Sequence, residues 1–376
     1  MTKATEQVVA DASRTSRLHE THLGLGATMK ERDGCLIPAS YGDELFEYAA
    51  VRESGAGLID LSSRARFHVS GSEAEQFLNG LITNDVKTLA ENRWMPAAFP
   101  NVQGRLIGSV RVGRIENGFL IDTEAATREK VFQTIQRFTL AGDFHLKEVT
   151  DQTSLLSVQG KQAAKIISTL FAESVAGMPK DGLAQIKWQQ RELTLWRATH
   201  TAEDGFDLVV GVEDAQAIWE ALVTAGARPV GHDALEVLRI EAGRPRYGQD
   251  MDENTVVTEA LEDSVSYTKG CYVGQEIIAR IKYRGHVAKK LTGFAFDRLV
   301  SLDREATVRS VDGKDVGRIT STTSSPYLGH TIAMGYVKFD QAAPGTEVNV
   351  TSTDGEIAAK VSELPFVRGS WFGELS

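Results

Sequence analysis

Lys269-Gly270-Cys271-Tyr272-Val273-Gly274-Gln275-Glu276 is the densest run of chemistry-bearing residues in the chain. A glycine on each side of Cys271-Tyr272-Val273 gives a backbone that can turn sharply and approach a ligand. Gln275 through Arg280 then reads as the start of a helix. A cysteine just ahead of a helix N-terminus and near Lys269 has two reasons for thiolate character, the helix dipole and the neighbouring cation. A buried, inert cysteine in a tight turn is the alternative.

Upstream of this string, elements of both kinds alternate. Arg66 to Ser70 is a short strand with Phe67 and Val69 on one face. Ser72-Glu73-Ala74-Glu75 has the form of a capping box, and the helix it opens carries Phe77, Leu78, Leu81 and Ile82, ending near Asn84-Asp85. Leu106 to Val112 alternates as a strand, and Asn117-Gly118 marks a hairpin turn into Phe119-Leu120-Ile121. Ala126 to Ala141 is an amphipathic helix with Val131, Ile135 and Phe138 inward. Ser154 to Val158 and Leu193 to Arg197 are further strands. Asp214 and Asp233 are expected to cap helices stopped by Gly226 and Gly243.

Downstream the character changes. Short β-rich runs appear at Leu291 to Phe296, Val316 to Thr320, Ala333 to Val337, Glu347 to Val350 and Ile357 to Val361. Asp312-Gly313, Pro344-Gly345 and Asp354-Gly355 separate them as turns, the pattern of a small sandwich or barrel. The expected fold class is α+β. Residues 1–16 form a flexible tail, residues 17–286 a mixed body, and residues 287–376 a small all-β domain.

The chain has 376 residues, and its formal charge is 41 − 51 = −10. That length allows two or three domains at roughly 150 residues each. The acidic balance argues against nucleic-acid coating, which needs a basic footprint. Cys35 and Cys271 alone make no disulfide framework, and neither C-x-x-C nor H-E-x-x-H is present, so no metal site is readable. With no apolar leader and no long apolar stretch, the expectation is a cytoplasmic protein without a membrane span.

The central string resembles the K-G-C-[F/Y]-x-G-Q-E motif of the YgfZ family of folate-binding proteins, which are linked to iron–sulfur cluster assembly and repair. Every fixed position matches. That family is a branch of the glycine-cleavage T-protein (aminomethyltransferase) superfamily, whose T-proteins usually carry aspartate where Cys271 stands. His22 to Met29, Pro38 to Gly42, and Gly57 to Ser62 resemble the T-protein opening. Gly317 to Ser321, Ser325 to Gly329, and Leu364 to Val367 resemble its C-terminal barrel. The resemblance implies a folate in a central channel of the body, with the barrel packed against it. It implies a tetrahydrofolate-binding accessory protein for iron–sulfur enzymes, with reduced folate as ligand, iron–sulfur client or assembly proteins as partners, and Cys271 as a functional thiol. The alternative is a folate-dependent one-carbon transferase or demethylase of the same superfamily.

Thr199 to Asp207 resembles the T-protein segment Y-T-G-E-D-G-F-E, and the match assigns pterin binding to Glu203. One carboxylate can accept the adjacent ring N–H and exocyclic amine of a pterin as a charge-assisted pair. Ala202 departs from the usual glycine. Leu238 to Gly243 resembles L-R-L-E-A-G. It nominates Arg239 for the ligand, with a salt bridge to Glu236 or Glu241 as the alternative, while Leu235 replaces a further arginine. Tyr247 continues the pattern around the channel. Lys269, Gly270, Tyr272, Gly274, Gln275 and Glu276 support the central motif.

Asn101-Val102-Gln103-Gly104-Arg105 has the N-V-Q-G-R form of the iron–sulfur relatives, which nominates Asn101, Gln103 and Arg105. The T-protein equivalent runs N-x-x-G-G-I-x-D-D, and Gly108 and Ser109 fall on its two acidic positions. Neither can act as a carboxylate base at neutral pH, so glycine cleavage itself is disfavoured and enzymatic activity is left open. His68 and His145 are read as structural or surface residues. Arg280, Lys282, Arg284 and His286 form a basic patch suited either to a polyanionic folate tail or to plain solvation.

Overall fold

The computed structural model describes residues 13–373 except 138, 140, 141, 172–174, 176 and 354. The first twelve residues of the expected tail, Phe138 of the expected amphipathic helix, and Asp354 of the last turn lie outside the described residues. Arg14–Thr15 already forms a short strand, parallel to Cys35–Ser40, which also pairs with Thr28–Arg32.

The body is built on two larger sheets. One has five strands in the spatial order Arg93–Pro100, Leu106–Ile115, Gly118–Thr123, Ala65–Ser70, His145–Glu148. The other has six, in the order Leu183–Trp188, Arg191–Arg197, Gly205–Gly211, Thr153–Gln159, Gly57–Asp60, Arg228–Pro229. The expected hairpin at Asn117-Gly118 forms: Leu106–Ile115 pairs antiparallel with Gly118–Thr123, from Ile115 opposite Gly118. Gly118 has φ +128°, and a Cβ there would lie 2.2 Å from the Val69 carbonyl oxygen, so only glycine fits. Apolar residues of the five-stranded sheet, among them Phe67, Val112 and Ile121, bury against Leu78 and Ile82 and against Val131 and Ile135. Trp196, Leu120 and Leu183 fill the space where the two sheets meet.

Several helix starts differ from expectation. Ser72 does not cap the helix Ala74–Leu81; its N–H and Oγ–H both donate to Asp143 Oδ2, at 2.8 and 2.7 Å, while Glu75 pairs with Arg114. A long-range carboxylate outcompetes the local cap. Asp214 precedes Ala215–Thr224, but its side chain takes Arg191. The helix His232–Glu241 starts after Gly231, which puts Asp233 in its first turn, bound to Lys30. The expected 126–141 helix resolves into a 3-10 turn, Ala125–Thr127, followed by Arg128–Gln136.

The C-terminal unit is a closed six-stranded barrel: Lys289–Ala295, Thr331–Lys338, Asp315–Ser324, Thr307–Ser310, Glu347–Ser352, Gly355–Ser362. Its core contains Phe294, Val308, Ile319, Val337 and Val350, all fully buried. Closure leaves no free edge for unwanted pairing. The helix His232–Glu241 joins body to barrel by burying Ile240 among Leu291, Ile332, Met334 and Tyr336. A fully buried isoleucine contributes about 1.5–3 kcal/mol. Beyond the barrel the chain returns to the body, where the Val367 N–H donates to the Glu241 carbonyl.

Candidate functional site

The central string is a clamp on the five-stranded half of the body. Lys269 is buried, and its ammonium donates to three carbonyls: Asn79 (2.7 Å), Ile82 (2.8 Å) and Asn84 (2.6 Å). These carbonyls lie in and just beyond the last turn of Ala74–Leu81, where the helix dipole is negative and acceptors lack partners. Burial lowers the lysine pKa to about 8. Tyr272 is buried, and the Lys269 ammonium lies 4.9 Å from its ring centre. Gly274, at φ +76°, precedes the helix Gln275–Arg284. A Cβ at Gly274 would fall 2.3 Å from the Asn101 carbonyl oxygen, so the string and the 101–105 turn are packed backbone to backbone. Asn101 Oδ1 holds that turn by accepting the N–H groups of Gln103 and Arg105. The structure therefore brings the two motifs together as scaffold. Cys271 is exposed, and Gly270, Gln103, Arg105 and Glu276 are exposed beside it. Gln275 is half-buried.

Glu203 is also committed to structure. Its Oε1 accepts Arg52 Nη1 at 2.7 Å, and its Oε2 accepts the N–H and Oγ–H of Ser370 at 2.8 and 2.6 Å. A Cβ at Gly369 would stand 2.3 Å from Oε1. The same Arg52 guanidinium binds Glu241, which also accepts from Tyr48 and Ser325. One arginine thus holds two buried carboxylates, which also accept from the hydroxyls of Tyr48 in the body, of Ser325 in the barrel and of Ser370 beyond it. Ala202 keeps the left-handed backbone of the glycine it replaces, at φ +66°.

Arg239 joins body to barrel. It donates to Asp250 (2.5 Å), Glu236 (2.5 Å) and Ser321 (2.6 Å), and Asp250 in turn accepts from Thr320 and Ser321. The expected salt bridge to Glu236 is present, while Glu241 belongs to Arg52. Tyr247 is buried. Lys282 pairs with Glu262, and His286 stacks on Phe339 at 4.3 Å. Within the basic stretch 280–286, Lys282 and His286 are thereby engaged locally, while Arg280 and Arg284 are exposed.

Arg239 also borders a half-open cavity of about 130 Å³. Arg32, Arg64, Glu124, Leu235, Arg244 and Arg246 are among its other walls. Glu236 is engaged by both Arg239 and Arg246, which, against burial, hold its pKa down to about 2. Glu124 is different. Its Oε2 accepts the Tyr247 N–H at 3.2 Å, and Oε1 has no hydrogen-bond partner among the described residues. Burial raises its pKa above the usual carboxylate range, against the pull of Arg64 and Arg246. A larger groove of about 410 Å³ lies under Arg14 to Arg17, but none of the candidate residues lines it. The smaller cavity is the chemically furnished one.

Behind the cavity a charge chain crosses from sheet to sheet. Arg64 binds Asp122; Arg111 binds Asp122 (2.8 Å) and Asp207 (2.5 Å); His200 binds Asp207 at 2.9 Å. Against burial, His200 and Arg111 hold Asp207 well below the normal carboxylate range. Arg111 lies against both the Trp94 and Trp196 rings, 5.9 and 5.4 Å from their centres. Ser109 shares a face of its strand with Arg111, whereas Gly108 points the other way. A Cβ at Gly108 would meet Val131 Cγ2 at 2.7 Å and Thr127 Cβ at 3.1 Å, so the helix Arg128–Gln136 and the turn before it close this position to a carboxylate. The sequence pattern did not single out Glu124. The available signal was two carboxylates spaced i, i+2, Asp122 and Glu124, at the end of an apolar strand.

A charged cavity in a mixed body, joined through a helix to a closed barrel, defines the T-protein architecture. The chain belongs to the glycine cleavage T-protein family: the GCVT N-terminal domain matches residues 18–269 and the glycine cleavage T-protein C-terminal barrel domain matches residues 289–368. It is similar to the aminomethyltransferase of Rubrobacter xylanophilus, 32% identical over 94% of each chain. It is also similar to that of Thermus thermophilus, 31% identical over 93% of this chain and 98% of that one. The glycine cleavage system aminomethyltransferase T of Bartonella henselae has the same fold at TM-score 0.85 and 25% identity, covering 95% and 98% of the two chains. These relatives overturn the expectation of an iron–sulfur accessory protein. The motif that suggested it closes a helix end and packs a turn, work that Lys269 and Gly274 do whatever the chemistry nearby. Among the described residues no helix is long and apolar enough to cross a membrane.

Proposed function

We propose that this protein is a folate-dependent one-carbon transferase, in which a reduced folate accepts a one-carbon unit from a small donor at the Glu124 cavity. The observation that carries the reading is a half-buried carboxyl with one oxygen unpartnered among the described residues, set among guanidiniums, in a chain akin along 94% of its length to a protein named aminomethyltransferase. The residues fit the ligand. A pterin edge offers adjacent N–H donors, and Glu124 Oε1 is an unpartnered acceptor for them. The roughly 130 Å³ cavity is far smaller than a folate, so it takes one end of the molecule.

A bound reduced folate supplies the nitrogen nucleophiles that accept the one-carbon unit. Glu124, its pKa raised by burial, is a carboxyl on the cavity wall that can exchange a proton with the ligand, the task that Gly108 and Ser109 cannot perform. The Tyr247 N–H fixes the carboxyl's orientation. The chain from Arg64 to His200 keeps the wall behind the cavity rigid and charge-balanced. Glu203 and Cys271 have no part in this reading, and the division into a body of residues 17–286 and a barrel of residues 287–376 is kept with it.

The test is transfer of a ¹³C-labelled methyl or aminomethyl carbon to tetrahydrofolate, followed by NMR. Label should appear in a folate product with wild-type protein and drop sharply with Glu124→Gln. No labelled folate from any of a panel of methylated amines and amino acids would sink the proposal.

A further inference from the structure

The cavity holds more positive charge than its own acids neutralise. Arg64 is bound to Asp122, Arg246 to Glu236, and Arg239 to Glu236 and Asp250. Two guanidiniums remain. The Arg244 side chain makes no hydrogen bond or ion pair among the described residues, although it borders the cavity. Among the described residues Arg32 has one hydrogen-bond partner, His232 Nδ1 at 2.7 Å. His232 Nε2–H donates to the Asp60 carbonyl, so Nδ1 is the acceptor and the imidazole is neutral. It solvates the Arg32 guanidinium without offsetting its charge. Of the carboxyls bordering the cavity, Asp33 sits exposed at the tip of the hairpin, and Glu124 accepts the Tyr247 N–H with no guanidinium bound to it among the described residues.

We propose that Arg32 and Arg244 form a carboxylate-binding site, so that the cavity takes a small molecule bearing a carboxylate. This rests on the one-carbon transferase reading for its biological sense, though not for its chemistry. Arg32 is half-buried and Arg244 is exposed at the rim of the cavity; a guanidinium without a counter-charge gains from an anion, more so where it is half-buried, and a planar carboxylate matches its fork of donors. Burial lowers the pKa of Arg32 and Arg246 adds to the effect, against the pull of Glu236, Asp33 and Glu124. Size narrows the class. About 130 Å³ is close to a cavity that holds one benzene ring, which suits an N-methylated amino acid or the glutamyl end of a folate. Leu235 supplies the apolar wall against which a methyl group or methylene chain can rest.

The first probe is glutarate, titrated calorimetrically into wild type, Arg32→Gln and Arg244→Gln, with thermal melts confirming that each variant folds. Each substitution should weaken glutarate about tenfold or more, the loss of one charge-assisted pair. Equal affinity in all three proteins, or no binding to the wild type, overturns the site. The source of the carboxylate follows from two further arms. If the variants weaken 5-formyltetrahydrofolate but not the analogue lacking its glutamate, the site holds the folate tail, and the assignment of the pterin edge to Glu124 in the same cavity falls. If they weaken N,N-dimethylglycine and leave both folates unchanged, it holds the donor. Binding of glutarate by a wild type that binds neither folate would support the anion site and remove the folate reading.

Discussion

Glu124 and Tyr247 are joined by a hydrogen bond, Tyr247 N–H to Glu124 Oε2 at 3.2 Å, and among the described residues the other carboxylate oxygen has no partner on the cavity wall. Such a carboxyl ionises with difficulty in the folded protein. As pH rises through 4.5, its unperturbed value, the unfolded chain releases its proton first, and the folded state loses relative stability until its own raised pKa is passed. Gln at this position can still accept the Tyr247 N–H and never ionises. Glu124→Gln is therefore expected to melt with the wild type below pH 4 and above it at pH 7. Melting curves across this range check the sign; a variant less stable at pH 7 than at pH 4, relative to wild type, would contradict it.

Lys269 and Cys271 stand two positions apart and do different work. Lys269→Met removes three donors from buried carbonyls at a helix end and should destabilise by about 3 kcal/mol. Cys271→Ser, on an exposed thiol, should change stability by less than about 0.5 kcal/mol. Urea denaturation of both variants measures the contrast.

Gly108 and Ser109 can be tested by restoring acids. Gly108→Asp drives a side chain into Val131 and Thr127 and should cost about 3 kcal/mol or fail to fold. Ser109→Asp shares the Arg111 face of the strand and should fold with a melting temperature close to wild type. Parallel thermal melts decide it.

Glu203 is expected to matter for folding rather than for ligand. Glu203→Gln leaves Arg52 with one carboxylate instead of two and weakens the tie to Ser370, at about 2–3 kcal/mol. Reduced-folate affinity of the folded variant should match the wild type. A large loss of affinity with unchanged stability would return the pterin role to Glu203.

The barrel strand Glu347–Ser352 was readable because its alternation is regular, with Val348 and Val350 buried and Glu347, Asn349 and Thr351 turned outward. Thr307–Ser310, which closes the barrel, is only four residues long with a register shift after Val308, too short for a period to emerge. Gly205–Gly211 is buried along nearly its whole length, so no polar face marks it. The same limit applies to the site. Lys269 and Gly274 stand out in sequence, but their partners, Asn79 to Asn84 and Asn101, lie far away along the chain. Arg32 and Glu124 sit in no motif. What gives them meaning is the cavity they share with Arg244, assembled only when the hairpin at residues 28–40 and the helix His232–Glu241 fold together.

The most direct test of the central claim is equilibrium binding of tetrahydrofolate to wild type and Glu124→Gln under anaerobic conditions. Loss of a charge-assisted acceptor for the pterin edge should weaken binding about ten- to a hundredfold. Equal affinities, or no binding to the wild type, would contradict the assignment of this cavity to a folate.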